Sequence, residues 1–329
     1  MKNIIVLAIL VIITGTFAVN NSVLCQGQEK ERKHFFSIGP HFGFVHGHVL
    51  EIVYPVNTPA ELMSELKWDM KPLLYYGAQL DFSRISPVNR PDFFSSLSFK
   101  AGIPGITGKM EDRDWMSAEN DNLTHFSSHD NETREFYWLD IAAGISLPVS
   151  SNLSLKPFFN TSWMHFSYAA RDGYAIYSRI KTFDPPDYYP IDDNPTEYTF
   201  TGDNIYYTQD WIMLAAGCTL GIKLFADFAL DLSFQISPLN ICFDVDEHLA
   251  RKIMFIDFTR FGLFLEVRGK LSYTISRFEF SYEYAYQYIG KTRGETFTTQ
   301  DDGVYILAMN EAGAGLSLMD SRFAIKVRF

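Results

Sequence analysis

Phe278-Glu-Phe-Ser-Tyr-Glu-Tyr-Ala-Tyr-Gln-Tyr288 places an aromatic residue at every second position, with polar or small residues between them. Successive side chains of a β-strand point to opposite faces, so this stretch predicts a strand with one wholly aromatic face. A soluble sandwich can also bury such a face. The change from Phe at the start to Tyr at the end favours a lipid-facing surface that runs into an interfacial aromatic girdle.

Similar alternating segments recur along the chain of 329 residues, which is 47% hydrophobic. After residue 30, no stretch approaches the roughly eighteen unbroken apolar residues of a membrane helix. The segments are residues 34–54, 64–84, 93–115, 135–149, 153–175, 205–225, 228–248, 253–275, 277–299 and 313–329. About ten strands in antiparallel order, an even number, predict an all-β fold, a single closed transmembrane barrel of the bacterial outer membrane. The alternation of Phe323, Ile325, Val327 and Phe329 is typical of chains whose last strand is read by the outer-membrane assembly machinery.

The lengths of the predicted connections indicate an orientation. The second strand joins the third, and the fourth joins the fifth, by short links, whereas the longer connections follow the odd-numbered strands. Short turns of outer-membrane barrels face the periplasm, so odd-numbered strands are expected to run outward. Several segments are roughly twice the 9–11 residues that cross a bilayer, which predicts a barrel that extends beyond the membrane on the extracellular side.

The N-terminus has the features of a secretory signal. Lys2 precedes an apolar run from Ile4 to Ile13 that is too short to span a bilayer. We expect a signal peptide over residues 1–25 and an outer-membrane barrel domain over residues 26–329. A lipid anchor on Cys25 is disfavoured, because Val23 and Leu24 stand where small residues are expected.

Two acidic pairs carry the chemistry. In Asp244-Val-Asp246-Glu-His248, strand alternation places the two aspartates and the histidine on one face. A carboxylate beside an imidazole fixes its tautomer and raises its basicity, as a general base requires. Asp112 and Asp114 form a second pair, and both pairs end outward-running strands. An acid/base site is therefore predicted, although a solvated rim or a divalent cation site would use the same residue types.

These motifs resemble the omptin family of outer-membrane endoproteases, which depend on aspartate and histidine. The similarity covers nearly the whole mature chain, and its motifs fall in order. The matching segments are residues 51–54 with 64–68, 110–116, 170–173 with 176–178, and 244–248.

The resemblance implies a division of labour among the catalytic residues. Asp246 orients His248, His248 takes a proton from water, and Asp112 and Asp114 hold that water from the other side of the cleft. The activated water then attacks the scissile carbonyl directly, without a metal ion or a covalent intermediate.

The resemblance also implies specificity. Glu51 and Asp244 form an acidic pocket, walled by Met110 and Ser64, that selects Arg or Lys before the cleaved bond. Cationic peptides or proteins at the cell surface are the expected partners, together with outer-membrane lipid and without nucleic acid. The formal net charge of −11 suits such partners. The barrel is expected to be monomeric.

The chain departs from the family pattern at two places. His125 stands where the family has an acidic residue. Whether a basic residue is preferred after the cleaved bond therefore stays open. Thr161, Trp163 and His165 stand where the family grips lipopolysaccharide with charged side chains, so the dependence on this lipid is expected to be weaker or differently built. No cofactor is expected beyond this lipid as an activator. The alternative function is a catalytically silent barrel that acts as an adhesin or a pore.

Overall fold

The computed structural model describes residues 33–55, 61–85, 91–117, 121–183, 186–299, 303 and 305–329. Its regular elements are the strands β1 Lys33–Val53, β2 Ser64–Ile85, β3 Asp92–Gly102, β4 Gly105–Asp114, β5 His125–Pro148, β6 Leu153–Tyr177, β7 Ile180–Phe183, β8 Pro186–Tyr188, β9 Thr196–Lys223, β10 Phe228–His248, β11 Ile253–Arg260, β12 Phe264–Ile275, β13 Phe278–Ile289, β14 Arg293–Thr299 and β15 Tyr305–Arg328. No helix in this part of the chain is long and apolar enough to cross a membrane. The predicted signal peptide, residues 1–25, lies outside the described residues.

Thirteen of these strands form one antiparallel sheet that closes on itself, because β1 pairs with both β2 and β15. Three positions in the ring are each filled by two consecutive strands, β3 with β4, β11 with β12 and β13 with β14. Their shared neighbours are β2, β10 and β15. The ring therefore has ten positions, which confirms the predicted all-β barrel. β7 and β8 form a separate two-stranded sheet in the connection between β6 and β9.

The alternating aromatic stretch lies on β13 as predicted. Its six aromatic side chains, from Phe278 to Tyr288, are 39–43% exposed on the outer wall. Glu283, Ala285 and Gln287 between them are buried inside the barrel. Exposed apolar side chains continue this band around the other strands, for example Phe42, Tyr76, Phe159 and Phe234. On β10 the band ends at Ile241.

A shift in strand register separates the apolar band from the acidic end of the barrel. The pairing of β10 with β9 slips between Ile236 and Leu239, around Pro238. Below the slip the inward residues have odd numbers, such as Gln235, and above it they have even numbers, such as Cys242. Bulges of this kind re-aim side chains and are common next to active sites. Because of this slip, β10 directs apolar residues outward before Pro238 and acidic residues inward after it.

The described strands differ from the predicted segments at their upper ends, where residues Val53, Asp114 and His248 lie. β5 begins at His125 and β9 at Thr196, about ten residues earlier than predicted. The physical reason is that both faces of a strand above the lipid meet polar surroundings, so the apolar alternation that reveals a strand is lost.

Three segments predicted as continuous strands are interrupted instead. The break between β3 and β4 contains Pro104, which has no backbone N–H for the ladder. At the break between β11 and β12, Phe261 has a φ of 64°. The Asn240 side chain binds the backbone there, accepting from the Gly262 N–H at 2.9 Å. The third break, residues 290–292, separates β13 from β14.

Large aromatic side chains close the middle of the barrel. The Trp68 ring is stacked between Tyr207 and Tyr168, with ring centroids 5.1 and 5.5 Å away. All three side chains are at most 1% exposed, and they belong to a continuous buried cluster with Trp138 and Trp211. The lower half holds a polar cavity of about 730 Å³, lined by residues near the opposite strand ends. The aromatic layer separates this cavity from the acidic upper end, which opposes the pore hypothesis.

Candidate functional site

The last residues of β10 form one wall of the site. Asp244, Asp246 and His248 share its inward face, and the two aspartates are 1% and 2% exposed. His248 Nε2 lies 2.6 Å from Asp246 Oδ2. The other oxygen of Asp246 is buried without a hydrogen-bond partner among the described residues. The buried carboxylate thus holds the imidazole in one orientation and stabilises it when it becomes charged.

Asp112 and Asp114, at the end of β4, form the other wall. Ser64 at the start of β2 donates its hydroxyl to Asp112 Oδ1 over 3.2 Å. Burial raises the pKa of Asp112 to about 6. Burial and the charge of Asp112 raise the pKa of Asp114 well above its usual value. Two close carboxylates cannot both ionise readily, so Asp112 and Asp114 titrate as a coupled pair whose first proton is held more tightly than by an isolated carboxyl.

The two walls face each other across the barrel. β4 and β10 are separated around the ring by β5, β6 and β9 on one side. The His248 ring lies near enough to Asp112 to lower the pKa of that carboxyl, and the Asp246 charge acts on it in the opposite direction. Two sequence segments more than a hundred residues apart are thereby brought to one cleft above the apolar band.

An acidic pocket adjoins these groups. Glu51 on β1 is 3% exposed, and its Oε2 atom has no hydrogen-bond partner among the described residues. Burial, and then the charges of Asp246 and Asp244, raise its pKa well above the usual value. Burial also raises the pKa of Asp244, which accepts a weak bond from the Cys242 thiol at 3.6 Å. Glu51 and Asp244 thus form a buried acidic cluster beside the two walls.

The two residues expected on the walls of this pocket lie in different surroundings. Met110 is fully buried in the aromatic cluster and lies opposite Trp68 in the β2–β4 ladder. Ser64 is also buried, and its hydroxyl contacts Asp112. The role of both residues as walls of the pocket stays a prediction. No group of three or more His, Cys, Asp or Glu side chains within the described residues is arranged to hold a metal ion.

The sequence model of the omptin family matches residues 32–329. The chain belongs to the omptin family. Membership places it among the barrel proteases of the bacterial outer membrane.

Among solved structures, this omptin is similar to the outer membrane protease OmpT from Escherichia coli. The identity is 20% and the TM-score 0.79, over 90% of this chain and 97% of that chain. At this identity the likeness shows a shared fold. The transport unit of the autotransporter AIDA-I from Escherichia coli also matches, with 10% identity and a TM-score of 0.35 over 96% of this chain and 97% of that chain. A comparison with curated proteins finds no match.

Two residues of this omptin's site were missed by sequence reasoning. Asp257 on β11 lies directly opposite Asp244 in the β10–β11 ladder and is 3% exposed. The signal was present, because Asp244 and Asp257 are equally far from the turn at residues 249–252. Arg251 in that turn contacts the His248 ring, with its guanidinium 3.0 Å from Nε2 and closer to Nδ1. No pattern in the sequence marks a turn arginine as a partner of this histidine.

The contacts of the His248 ring favour one of its two neutral tautomers. A guanidinium only donates hydrogen bonds, and a carboxylate only accepts them. The neutral tautomer with its proton on Nε2, beside Asp246, and its lone pair on Nδ1, the nitrogen nearer to Arg251, suits both partners. In this tautomer the Nδ1 lone pair points away from the carboxylate and is engaged by Arg251. Action as a general base requires that this lone pair be released.

The positions where this omptin departs from the family pattern lie on two different surfaces. His125 pairs with Asp114 in the β4–β5 ladder and packs edge-on against Tyr177 and Tyr188. On the outer wall, Trp163 and His165 both bind Asp210, with Trp163 Nε1 donating over 2.9 Å and His165 Nδ1 at 3.0 Å.

Proposed function

We propose that this omptin is an endopeptidase that cleaves peptides after basic residues by direct attack of an activated water. The observation that carries the proposal is the 2.6 Å contact between His248 and buried Asp246, facing the Asp112 and Asp114 pair. A solvated rim would leave such carboxylates exposed.

The residues divide the reaction as follows. Water binds between His248 and the ionised Asp112, and the exposed Arg251 side chain moves off the ring to admit it. Nδ1 of His248 takes one proton from the water, and the hydroxide attacks the carbonyl carbon. Asp246 stabilises the imidazolium. When the C–N bond breaks, the same nitrogen gives its proton to the leaving amine.

The cleft faces the extracellular side in this proposal. The lower end of the barrel has tight turns at residues 149–152, 224–227 and 276–277. The longest connection between neighbouring barrel strands, residues 178–195 with β7 and β8, lies at the upper end with the site. Short turns on the periplasmic side and long ones outside are the usual arrangement of outer-membrane barrels.

A cationic peptide library digested by the refolded barrel tests the function and its specificity. The wild type should cut after Arg and Lys. Asp244→Asn should weaken this cleavage by about 1–3 kcal/mol, because one charged hydrogen bond is lost. Unchanged Arg selectivity in Asp244→Asn would place the pocket elsewhere.

The same digest with and without lipopolysaccharide tests the lipid requirement. We propose that the barrel acts as a monomer. We also propose that it depends only weakly on this lipid, because Trp163 and His165 bind Asp210 where charged side chains would bind lipid phosphates. Absence of any cleavage in both arms would favour the silent barrel, an adhesin.

Activity and stability should respond to pH in opposite directions. As the pH falls through about 6, Asp112 gains a proton and loses the negative charge that holds and polarises the water, so kcat should fall. The folded pKa of Asp112 lies above its ordinary value of 3.8, so the folded state binds more protons in that window. Stability from this group therefore rises as the pH falls from about 6 to 4. A pH–rate profile beside urea unfolding checks both signs, and a parallel loss of both would contradict the assignment.

A further inference from the structure

Asp257 extends the acidic pocket onto a second strand. It pairs with Asp244 across the β10–β11 ladder, and both side chains point into the barrel, 3% and 1% exposed. Its other cross-strand neighbour is Thr296 on β14, whose hydroxyl bonds to it. Asp257, Asp244 and Glu51 thus reach one space from three strands, and their charges act on one another.

These carboxylates have open positions for a ligand. Asp257 Oδ1 and Glu51 Oε2 are buried, and neither has a hydrogen-bond partner among the described residues. The nearest arginine along β11, Arg260, is exposed and pairs with Glu295 at 3.2 Å. Burying several carboxylates without a cation is costly, and such an arrangement is found where function requires it.

We propose that Asp257 is a third specificity-determining residue of the substrate pocket, where it binds a guanidinium together with Asp244 and Glu51. This inference rests on the proposed function and deepens it by naming arginine as the preferred side chain. A guanidinium offers five N–H donors on a rigid plane, enough to bond three carboxylates at once. It is also more weakly hydrated than the lysine ammonium, so entering a pocket this buried costs it less.

The charge state of the pocket agrees with this role. Burial raises the pKa of Asp257 to about 7, and the charges of Asp246 and Glu311 act in the same direction. The groups that face Asp257 are Asp244 and Asp246 on β10, Glu51 on β1, Thr296 on β14 and Glu311 on β15. None of these is cationic, so a bound guanidinium is the ion that keeps Asp257 charged. Guanidinium binding should accordingly release protons near pH 7.

Binding of agmatine, a small guanidinium, tests the pocket without relying on catalysis. Calorimetric titration of the folded barrel should show binding that weakens about tenfold or more in Asp257→Asn. Glu247→Gln is the matched control, because it removes one negative charge from an exposed outer position on the neighbouring strand. It should bind agmatine as the wild type does. Equal affinity of Asp257→Asn and the wild type, or no agmatine binding by a folded wild type, would overturn the proposal.

Peptide cleavage gives the second readout. With Arg before the cut, Asp257→Asn should raise KM about tenfold and change kcat little, whereas a citrulline peptide should be unaffected. The preference for Arg over Lys should shrink. Equal losses on Arg and citrulline peptides would indicate a structural role and overturn the proposal. A wild type that binds agmatine but cleaves no peptide would sink the proposed protease function and leave Asp257 in place as a cation ligand.

Discussion

Replacing His248 with alanine should lower kcat/KM by about 10²–10⁴, the usual effect of removing a positioned general base. The reason is that the His248 imidazole, which buried Asp246 holds in place, supplies the lone pair that activates water. Asp112→Ala should also impair turnover, because the water loses its second anchor. Cleavage rates measured on an arginine peptide check the effect. Comparing the migration of heated and unheated samples on gels shows that each variant is folded.

The control is His34→Ala. His34 lies near the lower end of β1, and its ring stacks on Phe82 with centroids 5.9 Å apart, remote from the cleft. It should cleave at the wild-type rate. A folded His248→Ala barrel with wild-type activity would refute the mechanism. If a metal chelator alone abolished cleavage by the wild type, the result would support the divalent-cation hypothesis.

Asp320→Ala should lower the free energy of unfolding by about 3–5 kcal/mol, the cost of leaving a buried charge without its partner. Asp320 binds Lys100 Nζ at 2.5 Å and the Tyr75 hydroxyl at 2.6 Å inside the barrel. Both ends of the ion pair are at most 3% exposed. The Lys100 ammonium also lies 3.4 Å from the centre of the Trp138 ring, inside the barrel. Urea unfolding in lipid vesicles measures the loss.

The double variant Lys100→Met with Asp320→Leu is the matched control. Replacing a buried ion pair by apolar residues of similar volume is often neutral, so most of the lost stability should return. A loss below about 1 kcal/mol in Asp320→Ala would mean that the ammonium reaches water or another acid, contrary to the burial of Lys100.

Local alternation was enough to predict much of this fold. Strand side chains alternate with a period of two, so the outward aromatic face of residues 278–288 could be read without knowing any partner strand. The same rule placed Asp244, Asp246 and His248 on one face, and the structure agrees. The prediction failed at the upper strand ends, such as Thr196–Lys223, because polar surroundings on both sides erase the signal.

By itself, the sequence determined the fold class and the two acidic pairs, since these depend on residues near one another in the chain. Only the tertiary structure decided that both pairs point into the barrel and lie across from each other. The register slip at Pro238 turns the even-numbered side chains of β10 inward, and closure of the ring sets β4 across from them. Strand pairing brings Asp257 to the site, and the turn after β10 brings Arg251 to it. Trp68 closes the middle of the barrel by stacking on tyrosines of two distant strands. Such contacts depend on register around the whole barrel, and a one-residue slip in any strand would reverse the faces of all its side chains.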